Sequence, residues 1–178
     1  SSEERLRESI KRSKKRLEEL IREVRKRIEE IRRKNEELIR EVEEVIRRIR
    51  EELKRLRDEG KLDDKTVKDL KEKLDRILEE VKRIVDENEK TARELLKRVE
   101  EIVRELEKRS KEILKMVRDG KDIDELIKED ERLLREVEKK VKEIIKRLDD
   151  SLRDSERRAK ELIRELEELL REAEERAK

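Results

Sequence analysis

Apolar residues recur along the chain at spacings of three and four, the spacing that lines one face of an α-helix. A longer period of eighteen lies over that pattern. In the first third the columns read Leu6/Val24/Val42, Ile10/Ile28/Ile46 and Leu20/Leu38/Leu56. The middle third gives Val67/Val85/Val103, Ile77/Leu95/Ile113 and Val81/Val99/Val117, and the last gives Leu126/Ile144/Leu162, Ile127/Ile145/Ile163 and Leu134/Leu152/Leu170. Eighteen residues make five turns at ~3.6 residues per turn, so the stripe does not drift around the helix as a strict heptad would. This period predicts nearly straight helices, straighter than those of an ordinary coiled coil. The stripe is narrow, which suits a core where each of three helices touches two partners.

Two glycines, Gly60 and Gly120, divide the chain into thirds. Glycine best adopts the left-handed conformation that ends a helix. After Gly60, Asp63 is placed to cap the next helix, with Leu62 stapled onto Val67. After Gly120, Asp122 and Glu125 have the spacing of a capping box, and Asp124 is an equally legitimate cap. Ser1 and Glu4 share that spacing at the first helix. The pattern predicts helices over about 2–59, 64–119 and 124–177, each ~80 Å long at ~1.5 Å per residue. Connections this short make neighbours run antiparallel. The expected fold is therefore all-α: a single-chain, antiparallel, up-down-up three-helix bundle, with residues 1–178 forming one domain.

Polar residues interrupt the stripe at matching heights. Asn35 falls in the column of Leu17 and Leu53, Asn88 in that of Leu70 and Leu106, Ser151 in that of Leu133 and Leu169, and Ser155 in that of Val137 and Ala173. Folding at the two junctions pairs residues whose numbers sum to about 124 between the first two helices, and about 244 between the last two. Asn35, Asn88, Thr91, Ser151 and Ser155 then fall within about one turn of a single level. A weaker group comprises Ser13 and Ser110, with Ser9 on the boundary one turn away. Asp130, in the column of Leu148 and Leu166, either joins that group or reaches solvent near the bundle end. Buried polar groups must find partners, so a layer satisfied in one register penalises slipped arrangements. A polar ligand pocket is the competing reading. Small hydroxyls and amides in a narrow core leave little room for one.

Composition narrows the function classes. Charged residues make up 62% of the chain, yet 56 basic and 54 acidic side chains nearly cancel and are finely interleaved. A disordered tail would not need the periodic apolar stripe. The net charge of +2 lacks the concentrated basic face that nucleic acid requires. The run Lys11-Arg12-Ser13-Lys14-Lys15-Arg16 spreads around a helix, without an aromatic residue to stack on bases, and reads as a solvated face. No apolar run approaches the ~18 residues of a membrane span, and no signal peptide is visible. A soluble protein, suited to recombinant cytoplasmic expression, is expected.

The chain has no His, Cys, Phe, Trp, Tyr or Pro. Metal binding would need His, Cys or clustered carboxylates, and Asp122-Ile123-Asp124-Glu125 lacks the spacing of a calcium loop. Serine nucleophiles would lack a histidine to activate them. Carboxylate pairs on exposed helix faces have no cleft to hold a substrate. Two glycines, both at helix ends, make no phosphate-binding loop. The expectation is a non-enzyme with no cofactor and no metal.

The ideal repeats, the glycine-terminated short junctions, a surface saturated with Glu, Lys and Arg, and the Asn, Ser and Thr positions in the core resemble computationally designed helical bundles with buried hydrogen-bond networks. The resemblance covers the whole chain and is one of style. It implies a very stable, monomeric structural scaffold with no natural biochemical function. The alternative is a component of a designed hetero-oligomer or helix-exchange switch, in which polar layers encode pairing with a helical partner. A rigid spacer of the charged single-helix kind fits the Glu, Lys and Arg content but not the apolar stripe or the caps.

Overall fold

A computed structural model describes all 178 residues. It contains three helices: α1 (Ser2–Asp58), α2 (Asp64–Met116) and α3 (Ile123–Arg176). All three pack against one another as an all-α three-helix bundle. The ends agree with the sequence pattern to within one residue except at the end of α2, which stops at Met116 rather than 119. There the amides of Arg118 and Asp119 reach back only three residues, to the carbonyls of Lys115 and Met116, both at 3.1 Å. This tighter winding closes the helix early.

Both glycines end helices by the same device. Gly60 has φ +73° and Gly120 φ +77°, the left-handed region open to a residue without Cβ. The Lys61 amide donates to the Leu56 carbonyl at 2.8 Å, and the Gly60 amide to that of Arg57 at 3.0 Å. This pair of bonds is the Schellman motif. Lys121 and Gly120 repeat it on Met116 and Val117, with longer bonds of 3.4 and 3.2 Å.

The helix starts follow the caps. Asp63 Oδ1 accepts the Thr66 amide at 2.7 Å. Leu62 and Val67, on either side of that cap, are buried in one apolar cluster, the staple the sequence suggests. Asp122, rather than Asp124, caps α3: its Oδ1 accepts the Asp124 amide at 3.1 Å. The Asp124 carboxylate instead accepts from Arg5 at 3.0 Å. Ser1 Oγ accepts the Glu4 amide at 3.4 Å, while the terminal ammonium donates to Glu4 Oε2 at 3.2 Å.

The chain divides into two compact units: Ser1–Glu29 with Thr91–Asp150, and Glu30–Lys90 with Ser151–Lys178. Each helix contributes residues to both. In the first, Leu6, Ile113 and Leu126 form a buried cluster, one residue from each helix, flanked by Ile10, Val117 and Ile127. In the second, Val42, Ile46, Ile49, Leu53 and Leu56 of α1 meet Leu70, Leu74 and Val81 of α2 and Leu166 and Ala173 of α3. Burying a Leu, Ile or Val side chain stabilises the fold by ~1.5–3 kcal/mol. No large hydrophobic residue is exposed. No helix is long and apolar enough to cross a membrane.

Candidate functional site

The buried polar side chains form two separate sets, one in each unit. The first is centred on Asp130, which α3 presents from the column it shares with Leu148 and Leu166. Those leucines are 1% and 0% exposed, and Asp130 is likewise 0% exposed. Three hydroxyls donate to its carboxyl group: Ser9 to Oδ2 at 3.0 Å, Ser13 to Oδ2 at 2.9 Å, and Ser110 to Oδ1 at 3.2 Å. Ser9 and Ser13 are one turn apart on α1, and Ser110 comes from α2, so one aspartate ties all three helices. Each serine hydroxyl can rotate to donate, and both side-chain oxygens of Asp130 accept, so every oxygen of the set has a partner.

The second set is a relay. Asn35 Nδ2 donates to Asn88 Oδ1 at 2.9 Å, and Asn88 Nδ2 donates to Ser151 Oγ at 2.8 Å. It too joins all three helices. Asn35 and Asn88 are buried, and Ser151 is half-buried at the rim. The relay is open at one end: Asn35 Oδ1 is buried and has no hydrogen-bond partner.

The sequence reading ranks these two sets in the opposite order. The group around Asp130 is the more completely bonded, and Asp130 does not reach solvent. Ser9, expected on the boundary, is only 3% exposed, because its short side chain turns inward to the carboxylate. Thr91, assigned to the Asn35 level, is half-buried and takes no part in the relay. Its column is shared with Lys73 and Arg109, both charged, which places it on the rim. Ser155 is buried at 4% exposure but is not bonded to Asn35, Asn88 or Ser151.

Ion pairs mark the same register from outside. In the first unit Arg16 pairs with Glu138 at 3.2 Å and Arg27 with Asp149 at 3.1 Å, each 122 residues apart in sequence. Arg25 of α1 meets Glu100 of α2 at 3.6 Å. In the second unit Arg50 pairs with Asp75, and Arg158 lies 3.5 Å from Glu87. The Glu138 side chain raises the pKa of Arg16, chiefly through its hydrogen bond. Within helices, hydrogen bonds from Arg55 and Arg132 hold the carboxyls of Glu52 and Glu129 below the ordinary range. Pairs this exposed are screened by solvent and contribute little to stability.

No group of three or more His, Cys, Asp or Glu is gathered as a metal ion would require. The surface depressions are open grooves among charged side chains. One of about 270 Å³ lies between α1 and α2, lined by Ile10, Lys14, Leu17, Glu107, Ser110, Lys111 and Leu114. Ser110, which lines that groove, donates its hydroxyl to Asp130. Comparison with protein-family models, curated proteins and solved structures yields no match.

Proposed function

We propose that the chain is a designed structural scaffold: a monomeric helical bundle whose buried polar sets specify one register, with no catalytic activity and no resident ligand. The observation that carries this reading is the way polar contacts break an otherwise degenerate repeat. Over the length that still overlaps, sliding a helix by eighteen residues would place apolar columns on apolar columns again, so the apolar pattern itself resists the slide only through the overlap lost at the helix ends. The same slide would bring Leu17 or Leu53 to the level of Asn35 and strand the Asn88 amide. It would likewise bring Leu148 to the three serines in place of Asp130. An unmatched buried polar group costs about 1–3 kcal/mol, and each set contains several.

The reading as one half of a helix-exchange pair has its own support, since polar layers spanning three helices can also encode which helix is accepted. A labelled synthetic peptide of residues 123–178 separates the two. The scaffold reading expects no incorporation into the folded protein under native conditions. Stoichiometric incorporation, with release of the resident α3 segment, would favour exchange.

A further inference from the structure

We propose that the second polar set holds one buried water molecule, bridging Asn35 Oδ1 and the Ser155 hydroxyl. Asn35 is 1% exposed, and its Oδ1 is a buried acceptor without a partner. Buried carbonyl oxygens in that state are rare because the lost hydration is not replaced. Ser155 is the polar residue that the helix register sets against it. Residues paired between α1 and α3 in the first unit lie 117 to 122 apart in sequence. The 120 that separates Asn35 from Ser155 falls inside that range.

Packing within the second unit supports the same level. Leu38, Val85 and Ala159 form one buried cluster. They lie about one helical turn from Asn35, Asn88 and Ser155 respectively, in the direction that antiparallel α2 requires. Ser155 therefore shares a layer with the two asparagines. On successive turns α3 presents Ser151, Ser155 and Ala159, three small side chains where the preceding repeat carries Leu133, Val137 and Val141 and the following one Leu169, Ala173 and Ala177. A buried water needs room and polar partners, and small side chains beside an open acceptor are the residue types that would supply them.

The bridge is balanced in donors and acceptors. The water donates one O–H to Asn35 Oδ1 and the other to Ser155 Oγ. The serine proton stays available to a carbonyl of its own helix, a common bond for a helical serine. Turning over both asparagine amides would present Asn35 Nδ2 to the same water, which would then accept instead.

A high-resolution crystal structure of the whole chain, alone and as Ser155→Val, tests this. The expected result is a solvent peak about 2.6–3.2 Å from both atoms, absent in Ser155→Val while the Asn35–Asn88 bond persists. A direct Ser155–Asn35 bond, or a dry site, would overturn it. In solution, the ¹⁵N-labelled Asn35 side-chain amide should show cross-relaxation with a long-lived water, and the signal should be lost in Ser155→Val. Ser155→Ala removes the hydroxyl without adding bulk and covers the event that the valine variant does not fold. A water signal undiminished in the alanine variant would remove Ser155 from the site. The water rests on the geometry of this layer alone, so its failure leaves the scaffold reading standing.

Discussion

Ser110 of α2 is the only side chain that donates to Oδ1 of Asp130, at 3.2 Å, whereas Oδ2 receives two hydroxyls. The three serines are therefore not equivalent. Ser110→Ala leaves a buried side-chain oxygen of Asp130 without a donor and should cost about 1–3 kcal/mol, the range for stranding a buried polar atom. Ser9→Ala and Ser13→Ala each leave Oδ2 with one donor, and should cost roughly half as much. Urea midpoints of the three variants read this ordering directly; equal losses would contradict it.

The asparagine relay should respond to partial and complete removal in opposite ways. Asn35→Leu alone strands Asn88 Oδ1 and should lower stability by about 1–3 kcal/mol. Replacing Asn35, Asn88 and Ser151 together by leucine, the residue that flanks each of them in its column, should be neutral or stabilising. Denaturant titrations of the single and triple variants test the pair. A triple variant that loses several kcal/mol would mean that the relay contributes net stability and does more than fix register.

Gly60 provides a backbone test. Nothing lies within 4 Å of where a Cβ would stand, so Gly60→Ala meets no steric obstacle. Its φ of +73° still penalises a side chain, by roughly 1–2 kcal/mol. Gly60→Asn should lose less, because asparagine tolerates that conformation. Thermal midpoints should fall in the order glycine, asparagine, alanine.

Asp63 links stability to pH. Its hydrogen bonds with the Thr66 side chain and amide hold its carboxyl below the ordinary 3.8. Because the folded value is the lower one, the stabilisation is present above the unfolded value and is lost as pH falls through the folded one. Acid titration of the melting temperature should therefore show a smaller decline below pH ~4 in Asp63→Asn, which keeps a capping side chain without the titration. The lowered carboxyls of Glu44, Glu52, Glu59 and Glu129 add to the decline in both proteins and cancel in the comparison.

How far the sequence could be read depended on the physics at each position. The three helices, their caps and the pairing sums followed from periodicity and from two glycines, because the chain repeats with almost no exceptions. Asn35 with Asn88 was visible for the same reason: each is a polar residue in a leucine column. Asp130 carried the same signal, but whether a carboxylate stays inside depends on how many donors surround it, and three converging serines emerge only in three dimensions. Thr91 lies within one turn of the Asn88 level, as its number implies, but a shift of three residues also turns the side chain by ~60°, toward the rim and out of the relay. The early end of α2 has no counterpart in the apolar pattern, since Val117 continues its column.

In the scaffold proposed above, the three apolar stripes satisfy one another within one chain. Light scattering coupled to size-exclusion chromatography tests it most directly, with refractive-index detection because the chain has no Tyr or Trp. A mass of 21.9 kDa, unchanged on dilution, is the predicted result. A stable mass at a multiple of that value would mean that the stripes meet between chains, and would contradict the account.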